Sequence, residues 1–174
     1  ELPRLGADEL TGEVAGYDAT IGALKEMSPV PVRFEVPDTD AKGCYNRAED
    51  YIAVRPDLSQ VQTIKTLIHE IAHAKLHKVI TDDTGRTKPR PEREVEAESV
   101  AYVVCQYLGV DTSDYTFGYI AGWSKKRELP ELKSALDTIR KAAAELIDGL
   151  EAREIVPQKT VLPQPKKYDR APVR

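Results

Sequence analysis

The five residues His69-Glu70-Ile71-Ala72-His73 constrain this chain more than any other feature, because their spacing is useful only on a helix. There, His69 and His73 stand one turn apart on the same face, with Cβ atoms about 5–6 Å apart. Two imidazole nitrogens can then reach one ion at the zinc–nitrogen distance of roughly 2.0–2.1 Å. Glu70 lies about 100° further round the helix. It cannot share the same coordination corner, but it can reach a water on the ion. Two ligands beside a carboxylate base is the arrangement of a zinc hydrolase. The bland alternative is a chance HExxH in a Glu-rich surface helix with both imidazoles solvated. Against it, all three histidines of the chain, His69, His73 and His77, fall within nine residues.

The motif also sits inside a well-formed helix signal. Ser59 followed by Gln62 is a capping box, and Asp57 adds negative charge near the helix start. Val61, Ile64, Leu67, Ile68, Ile71 and Ala74 recur at helical spacing and form one apolar stripe. Gln62, Thr66, His69, Glu70, His73 and His77 fall on the other side. A helix with a core face and a histidine face lines a cleft. The run is expected to end near Lys78–Val79, before the turn-rich stretch 81–85.

Two histidines do not complete a zinc site. A catalytic ion takes a third protein ligand and keeps one position for water. His77 is a poor third ligand, being roughly 12 Å along the axis from His69 on an unbroken helix. Cys44 and Cys105 are possible, but Cys105 lies among apolar residues and reads as a core thiol. Better candidates lie in the helix predicted between Pro91 and Gly109. Its buried face is Ala97, Ala101, Val104, Cys105 and Leu108, and Glu94 and Glu98 project onto that face. Buried carboxylates are costly unless paired or bound to metal. Pairing with arginine or capping of backbone groups is the structural alternative. As a metal site, Glu94 is the ligand and Glu98 bonds a ligand histidine, or the two roles are exchanged. Glu96 projects to the far side with Val103 and Tyr107, so its substitution is expected to leave the site untouched.

HEIAH followed by Glu94-x-x-x-Glu98 resembles the gluzincin metallopeptidases. The run TLIHEIAHAKLH…REVEAESVAYVVCQYLGVDTSDYTFGYIAGW is similar to the metallopeptidase-like domain of ArdC-type antirestriction proteins, which are carried on mobile elements and related to the ImmA/IrrE peptidases. The resemblance covers residues 15–150 and is most specific over 66–123. In gluzincins the ligand glutamate follows the second histidine at a separation that Glu94, with twenty intervening residues, satisfies; Glu98 has twenty-four. An acidic or amide residue often stands four positions further on, where Glu98 lies. The resemblance implies a zincin-like fold, a Zn2+ cofactor and a protein or peptide substrate. Full ArdC-type proteins also carry an N-terminal DNA-binding domain, which nothing here matches.

The remaining pattern suits an α+β fold, with a small antiparallel sheet packed on the active-site helix and further helices C-terminal to it. Tyr17, Ile21 and Leu24 mark a first helix, stopped by Pro29 and Pro31. Val30, Val32, Phe34 and Val36 alternate as a strand. Gly43-Cys44-Tyr45 and Tyr51-Ile52-Ala53-Val54 flank a polar turn and suggest a hairpin, whose edge can add an extended peptide. Residues 128–150 form a last helix with Leu132, Leu136, Ile139, Ala143 and Leu146–Ile147 as its stripe. Between the last two helices, residues 114–123 carry the single tryptophan. They read as core packing of a short helix. Alternatively, Tyr115 or Tyr119 approaches the metal and donates to an oxyanion.

The expected organisation is an N-terminal extension (1–15), a zincin-like domain (16–152) and a Pro/Lys-rich tail (153–174). Formal charge is −4 over the chain. Residues 157–174 carry Lys159, Lys166, Lys167, Arg170 and Arg174 against Asp169, a balance of +4 that leaves −8 elsewhere. An acidic body argues against nucleic acid as the partner. No run reaches membrane-span length and no signal-peptide pattern is present. Two cysteines make no disulfide framework, so a reducing, cytoplasmic setting is expected. The chain opens on Glu1 rather than Met and is expected to come from something longer. Two functions stand open: a zinc metallopeptidase, or a metal-stabilised interaction module that cleaves nothing. Glu70 favours the enzyme, since a structural site has no use for that base.

Overall fold

The structure is a computed structural model and describes residues 10–38, 40–81, 85–112 and 129–156. Among these the order is α1 (Tyr17–Met27), β1 (Val32–Phe34), β2 (Gly43–Asn46), β3 (Tyr51–Val54), α2 (Gln60–Leu76), α3 (Arg90–Tyr107) and α4 (Leu129–Glu151). The fold class is α+β, as the pattern implied. No helix among the described residues is long and apolar enough to cross a membrane.

The three strands form one sheet in the order β1-β3-β2. The hairpin pairs β2 with β3 antiparallel, from Gly43 opposite Val54 to Asn46 opposite Tyr51. Its turn is set by Asn46, whose side-chain oxygen accepts the Ala48 and Glu49 N–H groups at 3.0 Å each. Strand β1 pairs with β3 in parallel, Val32 opposite Ile52 and Phe34 opposite Val54. The sheet is therefore mixed, where an antiparallel one was expected. Two reversals of direction separate β1 from β3, so the two run the same way. β3 takes the centre because Ile52, Ala53 and Val54 are all fully buried, which suits a strand covered on both faces. β2 lies at the edge, with no strand paired to its outer side among the described residues.

Helix α2 starts where the capping signal put it: the Ser59 hydroxyl accepts the Gln62 N–H at 3.1 Å. Ile64, Leu67, Ile68, Ile71 and Ala74 are buried, and so are Gln62, Thr63, Lys65 and Thr66. α2 is the central helix, with β2 and β3 on one side and α3 on another. It ends at Leu76, and His77, with φ −125°, leaves the helical path. Helix α3 begins with Pro91 in its first turn and is closed by Gly109 at φ 76°. α4 packs on α3 and α1 through Ala135, Ile139, Ala142, Ala143, Leu146 and Leu150. Leu136, expected in that stripe, is 64% exposed. The buried face is centred a fraction of a turn away, on Ile139 and Leu146, with Ala135 and Ala142 at its margin.

The approach of β2 to α2 places the base of the cleft. A Cβ at Gly43 would meet Thr66 Cγ2 at 2.6 Å, Ala53 O at 3.1 Å and Glu70 Cγ at 3.3 Å. Gly43→Ala is therefore expected to cost about 1–3 kcal/mol through overpacking. Gly149→Ala, which meets only the flexible Met27 thioether at 2.3 Å, is expected to cost less, since alanine gains helix propensity. Urea denaturation of both variants checks the order. A stable Gly43→Ala protein would mean that strand and helix do not meet this closely.

Candidate metal centre

The α2–α3 pairing brings three donor atoms from two helices to one point. His73 Nε2 lies 3.1 Å from His69 Nε2, and Glu94 Oε2 lies 3.5 Å from each. Four ligands held tetrahedrally at zinc–nitrogen distance stand about 3.3 Å apart, so this triangle has the dimensions of one face of such a site. His69, His73 and Glu94 form the candidate metal cluster among the described residues. Their side chains keep 12–21% exposure on a cleft of about 740 Å³. The donor set and its openness fit zinc in a site that substrate can reach.

Each imidazole is held from behind. His69 Nδ1 lies 3.2 Å from Glu98 Oε2, and Glu98 Oε1 accepts from Lys65 Nζ at 3.0 Å. His73 Nδ1 lies 2.9 Å from His77 Nδ1; His77 Nε2 lies 2.8 Å from Glu96 Oε2; Lys88 Nζ donates to both Glu96 oxygens at 2.8 and 3.0 Å. With a cation at the centre, one set of tautomers satisfies every contact behind it. Both Nε2 lone pairs face the centre, so His69 Nδ1–H donates to Glu98 and His73 Nδ1–H to His77. His77 Nε2–H then donates to Glu96.

This second arm corrects the expectation for Glu96. It does lie off the Glu94–Glu98 face, yet it is 1% exposed. His77 and the segment leading to Lys88, pinned by a bridge between Thr81 and Thr87, fold over it. The signal available in the sequence was His73-x-x-x-His77, an i,i+4 pair on one helix face. The other placements follow the reading. Glu94 and Glu98 face α2, and Cys105 is buried in the core, its thiol pushed up to about 12 by burial. Cys44 lines the cleft outside the donor cluster, and burial raises its thiol too. Tyr115 and Tyr119 lie outside the described residues.

The electrostatics follow from burial and these pairings. Burial raises the Glu70 carboxyl, against the partial opposition of His69 and His73; the Tyr45 backbone N–H bonds it. A buried carboxylate with an upward-shifted pKa suits a proton acceptor near neutral pH. Burial opposes ionisation of Glu94 and Glu98 as well. There the bonded histidines win, with Lys65 assisting at Glu98: Glu94 is held far below the usual range and Glu98 falls to about 2. Burial also disfavours charge on His69, but Glu94 and Glu98 outweigh it and raise the imidazole to about 10.

Residues 30–106 match the IrrE N-terminal-like domain of the peptidase M78 family, a span that contains both histidines, Glu70 and both candidate glutamates. An uncharacterized protein of Bacillus anthracis, pXO2-81, is 30% identical over 96 residues. That match covers 55% of this chain and 16% of the Bacillus protein, so the chain spans a small part of that relative's length. No solved structure matches the chain significantly.

Two outcomes test the centre. With a folded-state pKa of about 10, metal-free His69 carries its extra proton near neutral pH and sheds it when a metal takes Nε2. Calorimetry at about pH 8 in buffers of differing ionisation enthalpy should show about one proton per zinc beyond what the bound water releases; an ordinary imidazole would add almost none. Affinity should fall as pH falls, since protons compete for the same nitrogen. Among the glutamates, Glu94→Gln should weaken zinc most, and Glu98→Gln by about 10–100-fold. Glu96→Gln should now weaken zinc measurably through His77 and His73. Zinc competition with a chelator ranks the three, and an unchanged Glu96→Gln protein would remove the His77 arm.

Proposed function

We propose that this chain is a zinc-dependent peptidase domain, with His69, His73 and Glu94 as metal ligands and Glu70 as general base. The observation that carries the reading is the convergence of three donor atoms within 3.5 Å of one another, with a buried carboxylate of raised pKa on the same helix. A structural zinc site is closed by protein ligands and needs no such base. The match to the IrrE N-terminal-like domain of a peptidase family supports the same class. Zinc bound there would supply a Lewis acid and a water acidified toward ~7. The antirestriction, mobile-element setting rests on the resemblance of residues 66–123 alone, and the cytoplasmic setting on Cys44 and Cys105 being unbridged.

The chain's own groups divide the work. The outer edge of β2, which no strand covers among the described residues, offers the backbone groups that Glu70 does not take to an extended peptide laid across the cleft. Glu70, fixed by the Tyr45 N–H at that same strand, accepts a proton from the attacking water and returns it to the departing amide nitrogen. Glu98 and His77 keep the two imidazoles in one tautomer and one orientation.

Glu70→Gln keeps the side chain's shape and removes the proton acceptor. The variant should retain zinc and its melting temperature while cleavage of a proteome-derived peptide mixture falls by about 10²–10⁴-fold. Cleavage that persists in the zinc-loaded variant would take Glu70 out of the mechanism. Zinc-loaded wild type that binds peptides and cuts none would make the domain a metal-stabilised interaction module.

A further inference from the structure

The cleft has a charge pattern that metal binding does not use up. Five lysine and arginine residues line it against four acidic ones, in a chain whose formal charge is −4. Two of the acidic side chains already have partners: Glu98 pairs with Lys65, and Glu94 faces the histidines with Arg90 3.5 Å away. Among the described residues the Lys42 ammonium bonds the neutral Gln62 side chain, at 3.1 Å, and Arg47 stands exposed at the hairpin turn.

Arg93 is the informative one. It sits in the first turns of α3, one residue before Glu94, and lines the same cleft. Its Nε is buried and has no hydrogen-bond partner among the described residues. A buried donor without an acceptor is costly, and a guanidinium more so than a neutral group. The two terminal nitrogens of the planar guanidinium can match a carboxylate bidentately. A carboxylate that entered the cleft beside the donor cluster would give that guanidinium the anionic partner it lacks among the described residues.

We infer that the cleft selects peptides bearing a carboxylate close to the cleaved bond, with Arg93 as the residue that recognises it. This rests on the reading of the cleft as a peptide-binding site. The carboxylate has two sources, an acidic side chain within a peptide or a free C-terminus. Lys42 and Arg47, along the β2 side, add a field of the same sign.

The test uses the full chain carrying Glu70→Gln, zinc-loaded, so that binding is read without turnover. Three fluorescent octapeptides serve as probes. One is blocked at both ends with a central Glu, one is blocked with a central Gln, and one has the central Gln and a free C-terminus. At least one carboxylate-bearing peptide should bind about tenfold tighter than the blocked Gln peptide. The preference identifies the source. It should vanish on adding Arg93→Met, with zinc content and melting temperature unchanged, and return in part with Arg93→Lys. Equal binding of all three peptides, binding of none, or a preference that survives Arg93→Met would overturn the inference. Digestion of a peptide mixture by wild type separates the two readings. Carboxylate preference without cleavage refutes the peptidase and leaves Arg93 its role, whereas cleavage without preference does the reverse.

Discussion

Two imidazole nitrogens and a carboxylate oxygen, all within 3.5 Å of one another, cannot simply share empty space. Without a cation between them the lone pairs face each other at low dielectric, and the cluster must take up a proton. The rise of His69 to about 10 is that demand in the metal-free chain. A divalent ion answers the same demand with more charge and fixed geometry. Much of the surrounding structure follows from holding those three atoms in place. α2 carries two of them on one face, α3 lies against it to supply the third, and the core helix faces behind both are apolar.

Holding the imidazoles requires further buried charge, and the chain places it in matched pairs. Glu98 bonds His69 on one side and Lys65 on the other, and Glu96 bonds His77 and Lys88. Isolated, either carboxylate would be driven to protonate by desolvation. With its lysine and histidine, each keeps a lowered pKa and remains an acceptor. The arms are unequal. Glu98 touches His69 directly, while Glu96 acts through His77, whose own burial holds its imidazole toward the neutral form that can accept from His73. Removing one member of such a chain strands its neighbour, which is why a pair can matter more to the site than to net stability.

The parts of this arrangement that were legible in the sequence are those set by local periodicity. The HExxH pair, the Ser59 cap, the phase of Glu94 and Glu98 on α3 and the β2–β3 hairpin each follow from residues close along the chain. Glu96 was misjudged because helical projection tells which way a side chain points, not what folds over it. His77 leaving the helix, and Lys88 arriving from beyond the Thr81–Thr87 bridge, are tertiary facts. The parallel pairing of β1 is likewise non-local, since alternation marks a strand without marking its direction. Leu136 shows the converse limit: an apolar residue at helical spacing lies outside the packed face, which is turned toward Ile139 and Leu146.

Glu70 is where fold and chemistry meet most closely. Its backbone belongs to α2, so its distance from the histidines is fixed by helix geometry. Its carboxylate is bonded by the backbone N–H of Tyr45, on the edge strand where an extended peptide would pair. Gly43, two residues earlier, lets that strand approach within contact of Thr66 and Glu70. The Glu70 carboxylate is thus placed by two elements at once, one setting it against the donor cluster and the other against the edge strand. A loop-borne carboxylate would have neither reference. The same double placement desolvates it, and desolvation raises its pKa. Position and basicity therefore have a single cause, the close packing of β2 on α2.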